Sequence, residues 1–131
     1  MRHLLINIIL LTLTSLISLP VTGTMINAEG IKGEKESFGK RSPWIDFYGK
    51  RGNAMEGLAI LQHPSNPWYP APWFTRDYGF ISPTPMYWPE DDKETFLGKG
   101  KQLKLRYRVL VHAGTHSEAD IAGQFEKYKK Q

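Results

Sequence analysis

The chain of 131 residues contains no cysteine, which excludes a disulfide framework and a lipid attached through a thiol. It also lacks a Gly-x-Ser-x-Gly nucleophile motif and a glycine-rich phosphate-binding motif. The charge imbalance is slight, because 17 Lys and Arg residues face 13 Asp and Glu residues. Basic residues near the N-terminal part are interrupted by acidic ones, so we expect no nucleic-acid partner.

One long apolar run is present, at residues 4–19, and the positive charge of Arg2 precedes it. This layout is typical of a secretory signal peptide. The run is shorter than the roughly 20 apolar residues that span a bilayer, so we expect membrane attachment only through an uncleaved signal. Small residues at Gly23 and Ala28 offer two cleavage points. We favour the second, which predicts a signal peptide over residues 1–28 and a periplasmic or secreted protein.

The rest of the chain divides by composition. Residues 29–41 are rich in Gly, Lys, Glu and Ser, which predicts a flexible linker. Residues 42–131 then form the predicted domain. Apolar and aromatic runs between turn residues predict five strands, at residues 43–48, 56–63, 78–82, 94–97 and 103–111. A helix is predicted from Ser117, whose hydroxyl can cap the first turn.

These elements predict a mainly β protein: a partial antiparallel β-sandwich, jelly-roll-like, with one C-terminal helix. Four or five strands do not close a sandwich, and a sheet that is apolar on both faces needs a second layer. The sequence therefore predicts that a second protomer or another protein completes the sheet. The alternative is that the chain is a truncated remnant of a longer domain.

The segment from His63 to Arg76 is the strongest candidate for a site. It contains prolines at positions 64, 67, 70 and 72, which stiffen the backbone. We predict an exposed loop in which His63 and Arg76 are catalytic candidates. The candidate ligand-binding residues are Glu56, Asn66, Trp68, Trp73 and Tyr78. In the structural alternative, His63 and Asn66 hydrogen-bond the loop backbone and Arg76 pairs with Asp77 or Asp46.

Metal binding is a weaker hypothesis. His63, His112 and His116 are the histidines that Glu56 or Asp120 could join. His112 and His116 flank Gly114 at the end of a predicted strand, so helical spacing does not bring them together. We expect neither a metal nor a cofactor.

Several segments resemble a known family. They are residues 56–67, Pro72-Trp73, Arg76, residues 78–80 and residues 105–114. Over residues 42–129 the chain resembles the closing third of a bacterial secreted family of unknown function, often labelled "methane oxygenase PmoA". The resemblance implies an exported β-sandwich whose first two thirds are missing here.

The chain departs from the pattern of that family at three positions. Gln62 stands where an acidic residue is common, and Trp68 and Phe74 stand where basic or histidine residues are frequent. The methane oxygenase label implies a multi-span membrane protein, and one short apolar run does not fit it. We therefore expect the label not to describe the chemistry.

The leading functional hypothesis is an exported β-sandwich that binds a carbohydrate or related polar ligand through the His63–Arg76 loop. Its alternative is a periplasmic enzyme of hydrolase or lyase type. In that enzyme His63 is the general base and Arg76 clamps an anionic group.

Overall fold

The computed structural model describes residues 22–85 and 96–131. In these ranges the elements follow the order β1 (Thr24–Asn27), α1 (Glu34–Ser37), β2 (Trp44–Arg51), β3 (Ala54–Gln62), β4 (Trp73–Arg76), β5 (Phe80–Pro83), β6 (Tyr107–Ala113) and α2 (Ile121–Tyr128). A four-stranded sheet has the order β1-β2-β3-β6, and β4 pairs with β5 in a separate hairpin. Every strand pairing is antiparallel. The prediction of a mainly β fold with a C-terminal helix is confirmed.

One face of the four-stranded sheet packs against the β4–β5 hairpin. Because side chains alternate along a strand, every second residue of β1, β2 and β3 points to this face. The buried cluster consists of Met25, Ile45, Phe47, Leu58 and Ile60 from the sheet and Trp73 and Ile81 from the hairpin. Phe47 and Trp73 are both 0% exposed, so the two large rings anchor this half of the core.

The opposite face of the sheet packs against α2. Ile121, Phe125 and Tyr128 lie on one side of that helix and contact Trp44, Ala59 and Leu61. The result is three layers, with the hairpin on one side of the sheet and α2 on the other. The sandwich stays open at β6, where Val111 is 64% exposed. Within the two described ranges, neither helix is long and apolar enough to cross a membrane.

The segment after β1 differs from the expected flexible linker over residues 29–41. Ile26 forms a β-bridge with Lys32, and α1 follows directly. Ser37, the last residue of α1, is fully buried, and its hydroxyl lies 3.2 Å from that of Thr75. The polar composition favours a linker, but β1 and β4 supply hydrogen-bond partners that composition does not reveal.

The proline-rich loop is shorter than its sequence predicts. Pro72 is its last proline, and the residues from Trp73 onward carry the N–H groups that a strand needs. They form β4, which pairs with β5 from Trp73↔Pro83 to Arg76↔Phe80. The loop proper therefore ends before Trp73.

Two further boundaries differ from the predictions. The N-cap of α2 is Asp120 instead of Ser117, and its carboxylate accepts the Gly123 N–H at 3.1 Å. The predicted strand over residues 94–97 lies partly outside the described residues, and residues 96–97 are not in a strand.

Candidate functional site

The loop that starts at His63 folds against the residue that precedes β6. Asn66 is 6% exposed. Its Nδ2 donates to the Arg106 carbonyl at 2.8 Å, and its Oδ1 accepts the Arg106 N–H at 2.6 Å. The His63 N–H donates to the same carbonyl at 3.1 Å. Asn66 therefore joins the loop to the main chain ahead of β6, and not to the backbone of the loop itself as the structural alternative expects.

The His63 imidazole is buried in the same place. Its Nδ1 accepts the Ser65 N–H at 3.1 Å and lies 2.7 Å from the Ser65 hydroxyl. Nη1 of Arg106 lies 3.4 Å from Nδ1 and 3.2 Å from Nε2, so it sits across the ring and not in its plane. Burial, and then the charge of Arg106, lower the pKa of His63. The ring is therefore neutral at pH 7.

Trp73 lies in the interior, which corrects its assignment as a ligand-binding residue. Its ring is 0% exposed, and its Nε1 donates to the Ser42 carbonyl at 2.8 Å. The Gln62 side chain donates to the same carbonyl at 2.9 Å and exchanges two hydrogen bonds of 3.1 Å with the main chain of Ala71. Trp73 occupies an inward position of β4, so its ring fills the core and cannot stack on a ligand.

The other predicted ligand-binding residues lie on three separate elements. Glu56, on β3, forms an exposed ion pair of 2.6 Å with Arg51. Trp68, in the proline loop, is 38% exposed. Tyr78, in the turn between β4 and β5, is 69% exposed.

Arg76 belongs to a surface whose residues were not predicted from the sequence to lie together. We define the hairpin surface as Phe38, Phe74, Arg76 and Phe80. Phe74 and Arg76 are outward positions of β4, Phe80 pairs with Arg76 across the hairpin, and Phe38 follows α1. The ring centroids of Phe38 and Phe74 are 5.3 Å apart, and those of Phe74 and Phe80 are 5.7 Å apart.

The guanidinium of Arg76 is held over this aromatic cluster. Its central carbon lies 4.1 Å from the Phe74 ring centroid and 5.1 Å from that of Phe38. Nη1 donates to the Thr75 carbonyl at 2.8 Å and lies 3.4 Å from a carboxylate oxygen of Glu34. Its ionic partner is thus Glu34, which corrects the expectation of Asp77 or Asp46.

An open groove of about 580 Å³ adjoins the hairpin surface. Its lining residues are Glu34, Lys35, Phe38, Arg76 and Asp77. Glu34 and Asp77 are tied together, because each main-chain N–H donates to the carboxylate of the other, at 2.8 and 2.9 Å. These two bonds fix α1 against the β4–β5 turn, so the walls of the groove come from two connected elements.

A second polar cluster lies inside the domain, beneath the loop that leads to α2. His112 Nε2 is 2.9 Å from Asp46 Oδ1, and the Asp46 side chain is 0% exposed. Burial raises the pKa of Asp46, and the hydrogen bond with His112 opposes that rise. Gly57, on β3 between them, makes the contact feasible, since a Cβ there would lie 2.5 Å from the His112 ring.

This pair was not predicted from the sequence. Asp46 and His112 are 66 residues apart, and only the register of three strands brings them together. One signal was present: Asp46 is a charged residue in an otherwise apolar and aromatic strand, on the same face as Trp44 and Tyr48. His116 lies 5.5 Å from Tyr48, measured between ring centroids.

The described ranges contain no group of side chains arranged to bind a metal ion. No group of three or more His, Asp or Glu side chains is placed there to hold a metal ion. His63 lies beside Arg106, whereas His112 lies beside Asp46.

The chain forms a small, mainly β domain with the outward hairpin surface on one side and the buried Asp46–His112 pair inside. A model of a family of unknown function, DUF6807, matches residues 15–126. The chain therefore belongs to this family. The match confirms the resemblance only as membership of a family of unknown function. The methane oxygenase label and the placement as a closing third stay predictions. No curated protein and no solved structure matches the chain.

Proposed function

We propose that this chain is an exported binding module that takes a carbohydrate or a related polar ligand on the hairpin surface. The observation that carries the proposal is the outward cluster of three phenylalanine rings around Arg76. Phe38 and Phe80 are 39% and 42% exposed. Exposed rings that are grouped and rimmed by polar residues mark binding surfaces. A pyranose ring presents an apolar C–H face to such rings and a hydroxyl rim to the polar groups beside them.

The charges of the groove favour a neutral ligand. Lys35 and Arg76 contribute two positive charges, and Glu34 and Asp77 contribute two negative ones. The four charges sum to zero, so the groove offers no net attraction to an anion or a cation. Carboxylate oxygens accept hydrogen bonds from hydroxyl groups, and guanidinium and ammonium groups donate to hydroxyl oxygens. A polyhydroxylated ligand satisfies both kinds of group.

The guanidinium of Arg76 is already oriented for such contacts. Stacking on Phe74 and the bonds to Thr75 and Glu34 restrict its rotamers before any ligand arrives. A side chain fixed in advance loses less conformational entropy on binding. These contacts favour the Arg76 end of the predicted segment as the site, since His63 and Asn66 are engaged by Ser65 and Arg106.

Support for export comes from the apolar run over residues 4–19 behind the positive Arg2. The enzymatic alternative has no such support. His63 is 6% exposed, its Nδ1 already accepts the Ser65 N–H, and the guanidinium of Arg106 covers one face of its ring. A general base needs a free lone pair within reach of a substrate proton.

Calorimetric titration with soluble glucan, xylan, galactan and pectin oligosaccharides tests the proposal. We expect one class of these oligosaccharides to bind. Phe80→Ala and Arg76→Gln should each weaken binding by about tenfold, since one lost stacking or charged contact is worth about 1.4 kcal/mol. Phe96→Ala is the matched control, because Phe96 is an exposed ring (91%) outside the hairpin surface. Binding that is lost with Trp68→Ala and unaffected by Phe80→Ala would move the site to the proline loop and refute the assignment.

A further inference from the structure

The edge strand β1 lies inside the segment that the sequence analysis assigns to the signal peptide. It pairs with β2 over its whole length, from Thr24↔Tyr48 to Asn27↔Ile45. Met25, Ile26 and Asn27 are 2%, 5% and 1% exposed. Met25 belongs to the buried cluster that contains Phe47 and Trp73. These residues are therefore part of the folded domain and not part of a leader.

The residues that follow β1 depend on it for their hydrogen bonds. The Gly33 N–H donates to the Met25 carbonyl at 3.1 Å. The side-chain oxygen of Asn27 accepts the N–H groups of Glu29 and Ile31 at 3.1 and 2.8 Å. In a chain that began at Glu29, these three N–H groups would lose their acceptors. The first residues of that chain would then have no hydrogen bonds to β1.

The loss of β1 would also uncover β2. Met25 is the cross-strand partner of Phe47, and Ile26 is that of Asp46. Phe47 and Asp46 are both 0% exposed. Cleavage after Ala28 would thus open a large apolar ring and a buried carboxylate to solvent at the new sheet edge. An uncovered edge strand of this kind promotes aggregation.

We infer that a signal peptidase cleaves after Gly23, so that the exported chain begins at Thr24. The inference rests on the export that the proposed function includes. Gly23 supplies the small residue that must precede the cut, and Thr22 and Gly23 are both exposed. The peptidase hydrolyses the amide bond between Gly23 and Thr24. One water molecule supplies the hydroxyl of the new Gly23 carboxyl group and the proton with which Thr24 leaves as a free amine. The retained chain has every residue of β1.

Gly23 itself is a poor position for a test substitution. A Cβ there would lie 2.6 Å from the Phe47 ring and 2.8 Å from the Tyr48 carbonyl oxygen. A variant at this position would therefore disturb folding as well as processing. Ala28 is exposed, so a larger side chain at position 28 tests the competing cut without a clash.

The experiment is expression of the full 131-residue chain in a bacterium, followed by N-terminal sequencing and intact mass of the exported product. We expect a single product that begins at Thr24. Ala28→Leu removes the small residue that a cut after position 28 needs, and we expect its product to begin at Thr24 as well.

Each other outcome overturns the inference. A product that begins at Glu29, or at any other residue, refutes the cleavage position while export stands. A product that retains Met1 and stays in the cytoplasm refutes the cleavage and the export together, whereas one that retains Met1 outside the cytoplasm refutes the cleavage alone. Oligosaccharide binding by the same preparation is read independently, so a failure of the binding proposal is distinguishable from a failure of the processing one.

Discussion

Replacement of His112 by alanine is the change whose consequence the structure defines best. The Asp46 side chain is 0% exposed, and His112 Nε2 at 2.9 Å is its side-chain partner. The second carboxylate oxygen, Oδ2, has no hydrogen-bond partner among the described residues. His112→Ala therefore removes the side-chain hydrogen bond of a buried carboxylate, and the charged form of Asp46 becomes less favourable in the folded state.

The expected magnitude follows from the cost of breaking a buried pair on one side only. That cost is about 3–5 kcal/mol, because the remaining charge stays desolvated without compensation. A domain of this size has a free energy of unfolding of about 5–15 kcal/mol. At about 4–8 °C for each kcal/mol in a domain near 100 residues, even the lower cost of 3 kcal/mol lowers Tm by roughly 12–24 °C.

The assay is urea denaturation followed by tryptophan fluorescence. The matched comparison is the double variant Asp46→Leu with His112→Ala, which removes the charge together with its partner. We expect the double variant to recover part of the lost stability, since an apolar pair leaves nothing unsatisfied. We also expect the deficit of His112→Ala to shrink as the pH falls towards the raised pKa of Asp46, because a proton neutralises the carboxylate. A deficit below about 1 kcal/mol, or a double variant no more stable than the single one, would refute this reasoning.

Two other predictions concern the loop. Asn66→Ala removes both hydrogen bonds to the main chain of Arg106 and should cost about 2 kcal/mol in urea denaturation; Asn66→Asp keeps the acceptor and should cost less, and equal costs would contradict the role of the Arg106 N–H bond. The pKa of His63 is lowered in the folded state, so the unfolded chain binds more protons below pH 6.5 and stability should fall as the pH drops through that window. His63→Gln should flatten this part of the stability profile, and an unchanged slope would show that another group titrates there.

The strands that the sequence predicts are those with a clear pattern. Residues 103–111 alternate apolar and basic side chains, and β6 covers most of them. The apolar run at residues 56–63 corresponds to β3, which is central in the sheet and buried on both faces. β1 was not predicted because its four residues lie inside the segment assigned to the signal peptide. α1 has only four residues, too few for a periodic pattern.

The site was harder to predict than the fold because it depends on pairings between distant segments. Proline spacing predicts a stiff loop, and the structural alternative foresaw main-chain hydrogen bonds for Asn66 but not their partner, Arg106. Neither the stacking of Arg76 on Phe38 nor the contact of His112 with Asp46 has a local signature. The first depends on how the segment after α1 packs on the hairpin, and the second on strand register, which a single sequence specifies only through its hydrophobic pattern.

The proline loop still serves the hairpin surface, although indirectly. The Gly39 N–H donates to the Trp73 carbonyl at 2.8 Å, and the Trp73 N–H donates to the Lys40 carbonyl at 3.1 Å. These two bonds join the segment after α1 to the first residue of β4, and so they place Phe38 beside Phe74. A loop with four prolines loses little entropy when it delivers β4 to this position. The stiffness that its prolines predict would therefore help to fix the geometry of the hairpin surface, which lies beyond its own end.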